Sequence, residues 1–529
     1  MPKEEVTIAQ ELAKKQREIS VSEFFTKNRH LLGFDSPVRA LLMTIKEAVD
    51  NSLDACNEAK ILPELKIEIK KLTEDRFRVM VEDNGPGIIK AQIPRIFAKL
   101  LYGSKFHRIR MSRGQQGIGI SASVLYSQLT TGKASVILSK VAKNKPALYY
   151  ELKIDTAKNE PQILKEEERD WNSKEHGTRI EIELEAKYQK GKQSVDEFLK
   201  GVAIVNPQAT IHYVTPEGEK INYPRVTNDL PVEAKEIMPH PYGIEMGMLM
   251  KMLADSSART LSGFLTSDFC RIGPGTAKEM CEKAGLSAEK KPSSLEHADV
   301  EKLFKAMQEV KVIAPPTDCL SPIGSSLLEK GLKKEVPADF YVTVTRSPVV
   351  YRGFPFQIEV GIAYGGELEK EGQVKLMRFA NRVPLLYQQG ACAITKAVQE
   401  TNWKPYGLTQ SGDNMPSGPA VIIVHMGSVW VPFTSEAKDA IASYDEIMKE
   451  MKLALQDAGR KLGIYIRKHV HAQEHQERLN LFAKYIPEVA NALAELSGTK
   501  KDVIEQDLMK VLKKETPKMT AEVGVHGEE

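Results

Sequence analysis

The sequence predicts an α/β protein, an α+β sandwich built from more than one domain, and three observations predict it. Strand-like and helix-like segments alternate from about Leu65 to Leu184. Strands return after about Pro337, in DFYVTVTR, FQIEVGIAY, VKLMRFANRVPLLY and GPAVIIVHMGSVWVPF, and lead into one long charged helix from about Ser435 to Ala483. A chain of 529 residues is also far beyond the size at which a single core stops growing, so three or four units of ordinary domain size are expected.

In chain order, Ser36-Pro37 reads as a helix N-cap followed by proline at the first helical position, opening a helix that runs to about Glu58. Its core side carries Leu41, Leu42, Ile45, Ala48, Val49, Leu53 and Cys56, while Glu47, Asn51 and Asp54 gather on the opposite side. Strands LKIEIKK and FRVMVED follow, then a glycine-rich tract and strand TRIEIELE, where Ile180, Ile182 and Leu184 alternate with Glu181 and Glu183 as in a sheet with one polar face. This first unit spans residues 1–230. Residues 231–325 turn helical from Met246 to Met307, punctuated by RIGPGTA, and 326–478 form a second α/β unit. The segment 479–529 is a polar tail carrying the amphipathic stretch LFAKYIPEVANALAEL.

Composition bounds the rest. Hydrophobic residues at 42% and charged residues at 27% are globular values, and a net charge of +3 neither demands nor excludes nucleic acid. Five scattered cysteines without C-x-x-C spacing give no disulfide framework or zinc knuckle, so a reducing cytoplasmic setting is expected. The charged first twenty residues lack a secretory signal's apolar core. The most apolar run, Ala420 to Phe433, is β-branched, contains His425 and reads as a buried strand, so no membrane partner is expected. His469, His471 and His475 share a late helix, and His471 and His475 have the i, i+4 spacing of zinc ligands, but no third ligand is evident and a solvated helix face is the favoured explanation.

Four short signals carry chemistry. An amide one helical turn from a carboxylate, as at Asn51 and Glu47, can help ligate hydrated Mg²⁺ while the carboxylate polarises a water. The turn Asp83-Asn84-Gly85-Pro86-Gly87 ends a strand on a carboxylate able to accept from an exocyclic amine, with two glycines that let backbone approach a flat ring. The tract Gly114-Gln115-Gln116-Gly117-Ile118-Gly119-Ile120-Ser121 opens a helix with several N–H groups aimed one way, which suits phosphate oxygens. It is neither a dinucleotide fingerprint nor a P-loop, since its glycine order differs and no GK[ST] is present. Thr178, after His176-Gly177, begins a strand with a hydroxyl able to join the same site.

In this order within about 130 residues, these signals resemble the GHKL ATPase family of gyrase-type topoisomerases, Hsp90, histidine kinases and MutL. The resemblance implies a GHKL (Bergerat) ATP-binding domain with ATP and Mg²⁺ as cofactors. It makes Glu47 the general base, Asn51 the Mg²⁺ ligand and Asp83 the adenine reader, with Gly85 and Gly87 shaping the adenine pocket. It places Gly114 to Gly119 in the phosphate lid with Ile120 and Ser121 behind it, Ser104 and Lys105 before it, and Thr178 on the wall; Ser121 stands where relatives carry lysine.

The later segments narrow the branch. No phosphoacceptor histidine helix precedes the ATP site, which disfavours a histidine kinase. The insert ARTLSGFLTSDFCRIGPGTAKEMCEKAGL resembles a helix–two-turn–helix unit, and VTRSPVVYRGFPFQIEVGIAYGG, LMRFANRVPLLY and VIIVHMGSVWVPF resemble the transducer strands of type IIB topoisomerase B subunits, with a left-handed-crossover-type α/β fold. Lys438 matches the transducer lysine that reaches the γ-phosphate. That resemblance implies an ATPase subunit that dimerises on ATP around double-stranded DNA and works with a DNA-cleaving A subunit in an A2B2 heterotetramer, relaxing and decatenating DNA. A MutL-like or Hsp90-like clamp, and a DNA-binding scaffold with a structural nucleotide, are the alternatives.

Overall fold

The structure, a computed structural model, describes residues 12–524 except Lys14, Lys15, Arg17, Glu18, 104–107, Gln115, Gln116 and Glu436; the side chains of 470–476, 478, 479 and 513–524 are likewise outside the description. Two sheets organise the molecule. The first contains β1 (Glu64–Lys71), β2 (Arg76–Glu82), β3 (Ser135–Lys140), β4 (Ala147–Asp155), β5 (Glu160–Arg169), β6 (Gly177–Glu185), β7 (Thr210–Val214) and β8 (Lys220–Tyr223), in the order β5-β4-β3-β6-β2-β1-β7-β8. All neighbours are antiparallel except the β1–β7 pair.

Ile180, Ile182 and Leu184 of β6 are buried with Leu65, Ile67 and Ile69 of β1, as the alternation of apolar and acidic residues predicts. Three helices cover that face: α1 (Pro37–Glu58), α2 (Gly119–Thr131) and α3 (Val195–Val205). Ser36 caps α1, its hydroxyl accepting from Arg39 N at 3.4 Å with Pro37 just inside, so the helix begins where its capping chemistry says.

A small helical unit follows, α4 (Met246–Asp255), α5 (Leu261–Asp268), α6 (Pro274–Ala284) and α7 (His297–Glu309), packed around Phe264, Phe269, Met280, Leu303 and Met307. Helix α8 (Ser325–Glu335) then leads to the second sheet: β9 (Phe340–Thr345), β10 (Val349–Tyr351), β11 (Phe354–Tyr364), β12 (Lys375–Ala380), β13 (Val383–Pro384) and β14 (Ala420–Ser428). Its order is β10-β11-β14-β12-β13 with β9 also on β11, and β12 runs parallel to β14 through the intervening α9 (Ala393–Glu400). Every residue of β14 is buried because both sheet faces are covered, which explains its unbroken apolar run. Helix α3 lies on one of those faces: Ile204 and Val205 share a core with Leu328, Leu332, Met377 and Phe379, so the two sheet units join through packed side chains.

The long helix departs from the sequence expectation. It spans Asp445–Ser497, α10, and is followed by α11 (Lys501–Gly524). Ser435 and residues 437–442, which the expected start at about Ser435 would make helical, lie outside the helix: Thr434 N donates to Ala440 O at 2.9 Å and Phe433 bridges Ile441. Burial of Ala437, Ala440 and Ile441 outweighs the helical propensity of the SEAKDAIA segment. Among the described residues no helix is long and apolar enough to cross a membrane.

Candidate functional site

Several segments of the first unit and one loop of the second meet around a cavity of about 600 Å³. Glu47 and Asn51 of α1 line it together with Asp83, Gly87, Gly114, Gly117, Ile118, Gly119, Ile120, Thr178, Ala437 and Lys438. Residues separated by up to nearly 400 positions therefore share one wall, in the size range of small-molecule sites.

Asp83 is the most constrained group. Its Oδ1 accepts from Gly85 N at 2.8 Å and Thr178 N at 3.0 Å, and its Oδ2 from Ser52 Oγ at 2.8 Å. Burial pushes the Asp83 carboxyl up, and these three donors oppose that shift. Asn84 explains the acid's neighbour: its amide bridges Glu64 N (2.8 Å) and Leu62 O (3.0 Å), tying the turn to the start of β1. Gly85 lies behind the wall, its carbonyl accepting from His176 Nδ1–H at 2.8 Å. Gly87 has φ of +72° and a Cβ there would stand 2.1 Å from Lys140 O, so only glycine fits. The Thr178 hydroxyl pairs with Ser139 Oγ at 3.2 Å, and Ser139 accepts from Ile88 N at 2.8 Å, closing that side.

The acid–amide wall contacts the glycine tract directly. A Cβ on Gly119 would lie 1.7 Å from Glu47 Oε2, so the start of α2 rests against this carboxylate. Lys46 Nζ lies 3.3 Å from Glu47 and 3.7 Å from Asp50. Burial would lower the Lys46 ammonium, but the two carboxylates outweigh it and hold it above its usual value. Burial raises the Asp50 carboxyl to about 6 against the pull of Lys46. Lys438, in left-handed backbone at φ +56°, donates from Nζ to Arg113 O at 3.2 Å; burial lowers its ammonium while Glu47 supports it.

Three site expectations need correction. Gly85, expected to shape the adenine pocket, is off the cavity, packed against Asp83, Cys56 and Ala55. Asp54 is buried and paired with Arg113 Nη1 at 2.7 Å, rather than sharing the open wall with Glu47 and Asn51. Helix α1 thus has a third face, buried and charged, formed by Lys46, Asp50 and Asp54 where it meets the Arg113 loop and the second unit. Ser121 is also off the cavity: its hydroxyl donates back to Ile118 O at 2.9 Å. Ser104, Lys105, Gln115 and Gln116 lie outside the described residues, as do the side chains of His471 and His475. Among the described residues no cluster of three His, Cys, Asp or Glu side chains could hold a metal.

Ser52, Ser139, His176 and Arg113 escaped the reading of the sequence. Ser52 sits beside Asn51 on the flank of the functional face, which was its one available signal; the others act through backbone atoms distant in sequence.

Comparison with known proteins matches this architecture. Residues 37–188 fit the profile of the histidine kinase-, DNA gyrase B- and HSP90-like ATPases, and residues 315–478 that of the topoisomerase VI B subunit transducer. The chain is 54% identical to the B subunit of type 2 DNA topoisomerase 6 from Methanococcoides burtonii, over 95% of its length and 79% of that protein's. It is 48% identical to the protein of the same description from Archaeoglobus fulgidus, over 91% of this chain and 80% of the other. An ATPase module followed by that transducer separates the chain from MutL-like and Hsp90-like clamps. The chain belongs to the family of type 2 DNA topoisomerase 6 B subunits, the ATP-hydrolysing subunits of a type II DNA topoisomerase.

Proposed function

We propose that the chain binds Mg·ATP in the cavity between α1, the Asp83 turn, the glycine tract and the Lys438 loop, and that hydrolysis there gates a DNA duplex. The observation that carries this reading is the convergence of Glu47, Asn51, Asp83, Gly119 and Lys438 on one cavity. Asp83, held by three donors, accepts from the adenine amine, and Gly87 lets the ring lie against backbone. Glu47 accepts the proton of the attacking water, and N–H groups at the start of α2 receive phosphate oxygens. Lys438, depressed by burial, regains a counter-charge on the terminal phosphate and stabilises charge developing there.

The donor set suits Mg²⁺: a single amide, Asn51, with no three-ligand cage among the described residues, fits an ion held mainly by phosphates and water. When bound, Mg²⁺ neutralises phosphate charge.

Replacing Glu47 by Gln tests the reading: ATP turnover should fall at least about a hundredfold while nucleotide binding persists. Turnover close to wild type would remove Glu47 from the chemistry.

The wider assembly belongs to the same proposal. Residues 1–230, 231–325, 326–478 and 479–529 serve as ATPase domain with dimerisation strap, helix–two-turn–helix domain, transducer and A-subunit docking tail. Two copies close through the segment Glu23 to Phe34 when ATP binds; Leu32 and Phe34 line the cavity, while Phe24 and Leu31 remain exposed for a second copy. The chain works in the cytoplasm with an A subunit that cuts DNA, in an A2B2 heterotetramer that passes one duplex through the break.

A further inference from the structure

We infer that Arg39 is a positioning residue for hydrolysis: with Asp439 it forms a clamp that holds the neighbouring Lys438 in the conformation aimed at the phosphates. The inference rests on Lys438 acting at the terminal phosphate, as proposed above.

Arg39 stands in the first turn of α1, and its Nη2 is ion-paired with Asp439 Oδ2, 400 residues along the chain. The two side chains are only 12% and 6% exposed, so the pair is shielded from water and salt. The guanidinium also lies over the Tyr387 ring, 4.6 Å from its centroid, and Nη1 reaches Asp35 at 3.2 Å, leaving the fork little freedom to turn.

Asp439 follows directly on a strained residue. Lys438 is a non-glycine in left-handed backbone, a conformation that persists only where its surroundings enforce it. Because of that turn the two consecutive side chains diverge, Lys438 toward Arg113 O and the cavity, Asp439 toward Arg39. Backbone bonds close the loop on itself, from Lys438 N to Ser435 O at 3.0 Å and from Thr434 N to Ala440 O at 2.9 Å. The Arg39–Asp439 pair ties the loop to the catalytic helix. Lys46, the other cation near Asp439, is engaged by Glu47 and Asp50. Arg39 does not line the cavity, so an effect on hydrolysis is indirect, through the Lys438 loop or along α1, and the double variant below separates the two.

A mutant cycle decides this, with kcat and KM for ATP measured on the full chain with its DNA-cleaving partner and DNA, alongside thermal unfolding. Lys438→Ala should lower kcat about a hundredfold. Arg39→Met and Asp439→Asn, which approach the clamp from its two sides, should each lower kcat about tenfold with KM little changed. Arg39→Lys should fall between, having charge without the fork. The double variant Arg39→Met/Lys438→Ala should be no slower than Lys438→Ala alone, because the clamp has no lysine left to position. Losses that multiply in the double variant, or wild-type kcat in both folded clamp variants, would overturn the inference while leaving the role of Lys438 intact. A wild-type rate for Lys438→Ala itself would overturn that role and the clamp with it.

Discussion

At the scale of single residues the cavity is built on contacts that tolerate little change. Asp83 is a buried carboxylate with Gly85 N and Thr178 N on Oδ1 and the Ser52 hydroxyl on Oδ2, so Asp83→Asn can keep both N–H donors only by turning its NH₂ to Ser52 Oγ, which must then accept and loses the acceptor for its own hydrogen. The cost of leaving a buried donor unpaired is about 1–3 kcal/mol, and it should appear in thermal unfolding together with an ATP affinity at least about tenfold weaker by calorimetry. Gly119→Ala is a sharper probe of Glu47. The added methyl would stand 1.7 Å from the carboxylate oxygen and must displace it. Turnover should fall about a hundredfold in single-turnover assays while the fold persists; an unchanged rate would show that Glu47 need not occupy its observed place. Asp83, Asn51 and Glu47 were legible because strand end, helix period and turn glycines are local marks. Ser52 and Ser139 were not, since a serine carries no such mark until its partner is known.

At the scale of elements, α1 shows how one helix can carry three faces. Period alone separates core from polar positions, but it cannot tell a solvated polar face from one buried against a later domain, and Lys46, Asp50 and Asp54 belong to the second kind. Strand β11 presents a comparable case. Glu359, 1% exposed at its centre, accepts from Ile323 N, Gly324 N, Thr345 Oγ1 and His425 Nδ1–H at 2.7–2.9 Å, while His425 Nε2 accepts from Arg382 N at 3.0 Å. Burial would push the Glu359 carboxyl up, but its donors hold it at about 2 rather than 4.5. A folded value below the unfolded one means the contribution is complete above pH 4.5, amounts to about 3 kcal/mol, and is lost as pH falls toward 2. Glu359→Gln should therefore lower stability by about 3–5 kcal/mol near neutrality and flatten the acid limb of the stability curve, read by denaturant unfolding across pH. A parallel acid limb in the variant would place the titrating group elsewhere.

At the scale of the whole molecule, the two sheet units are joined both by packed side chains and by a loop that carries chemistry. Helix α3 packs against the second sheet, and Gly331 approaches so closely that a Cβ would lie 2.1 Å from Ile204 O. The loop is that of Lys438, which brings a cation of the second unit into the cavity of the first. On the proposed reading, a nucleotide held between them biases how the units sit, as a gate requires. Beyond this body α10 continues with Leu481, Phe482, Tyr485, Val489 and Leu493 exposed. Removing the residues after Arg478 should abolish co-purification with the A subunit and leave ATP-dependent dimerisation intact; retained co-purification would assign docking to another surface. Likewise, a non-hydrolysable ATP analogue should increase the dimer population in sedimentation, and its failure to do so would rule out closure on binding.

Local physics was enough for the sequence to determine the capped helix with its acid–amide pair, the strand ending in Asp83, the glycine tract and the alternating strands, since each depends on neighbours within a turn or a pleat. Tertiary structure alone decided that residues 437–442 leave the helix, that Asp54 serves Arg113, that Ser121 turns inward and that Arg39 meets Asp439. Those outcomes follow from burying charge and apolar surface between segments up to 400 residues apart, where no periodicity reaches and only the competition for partners in a dry interface selects the pairing.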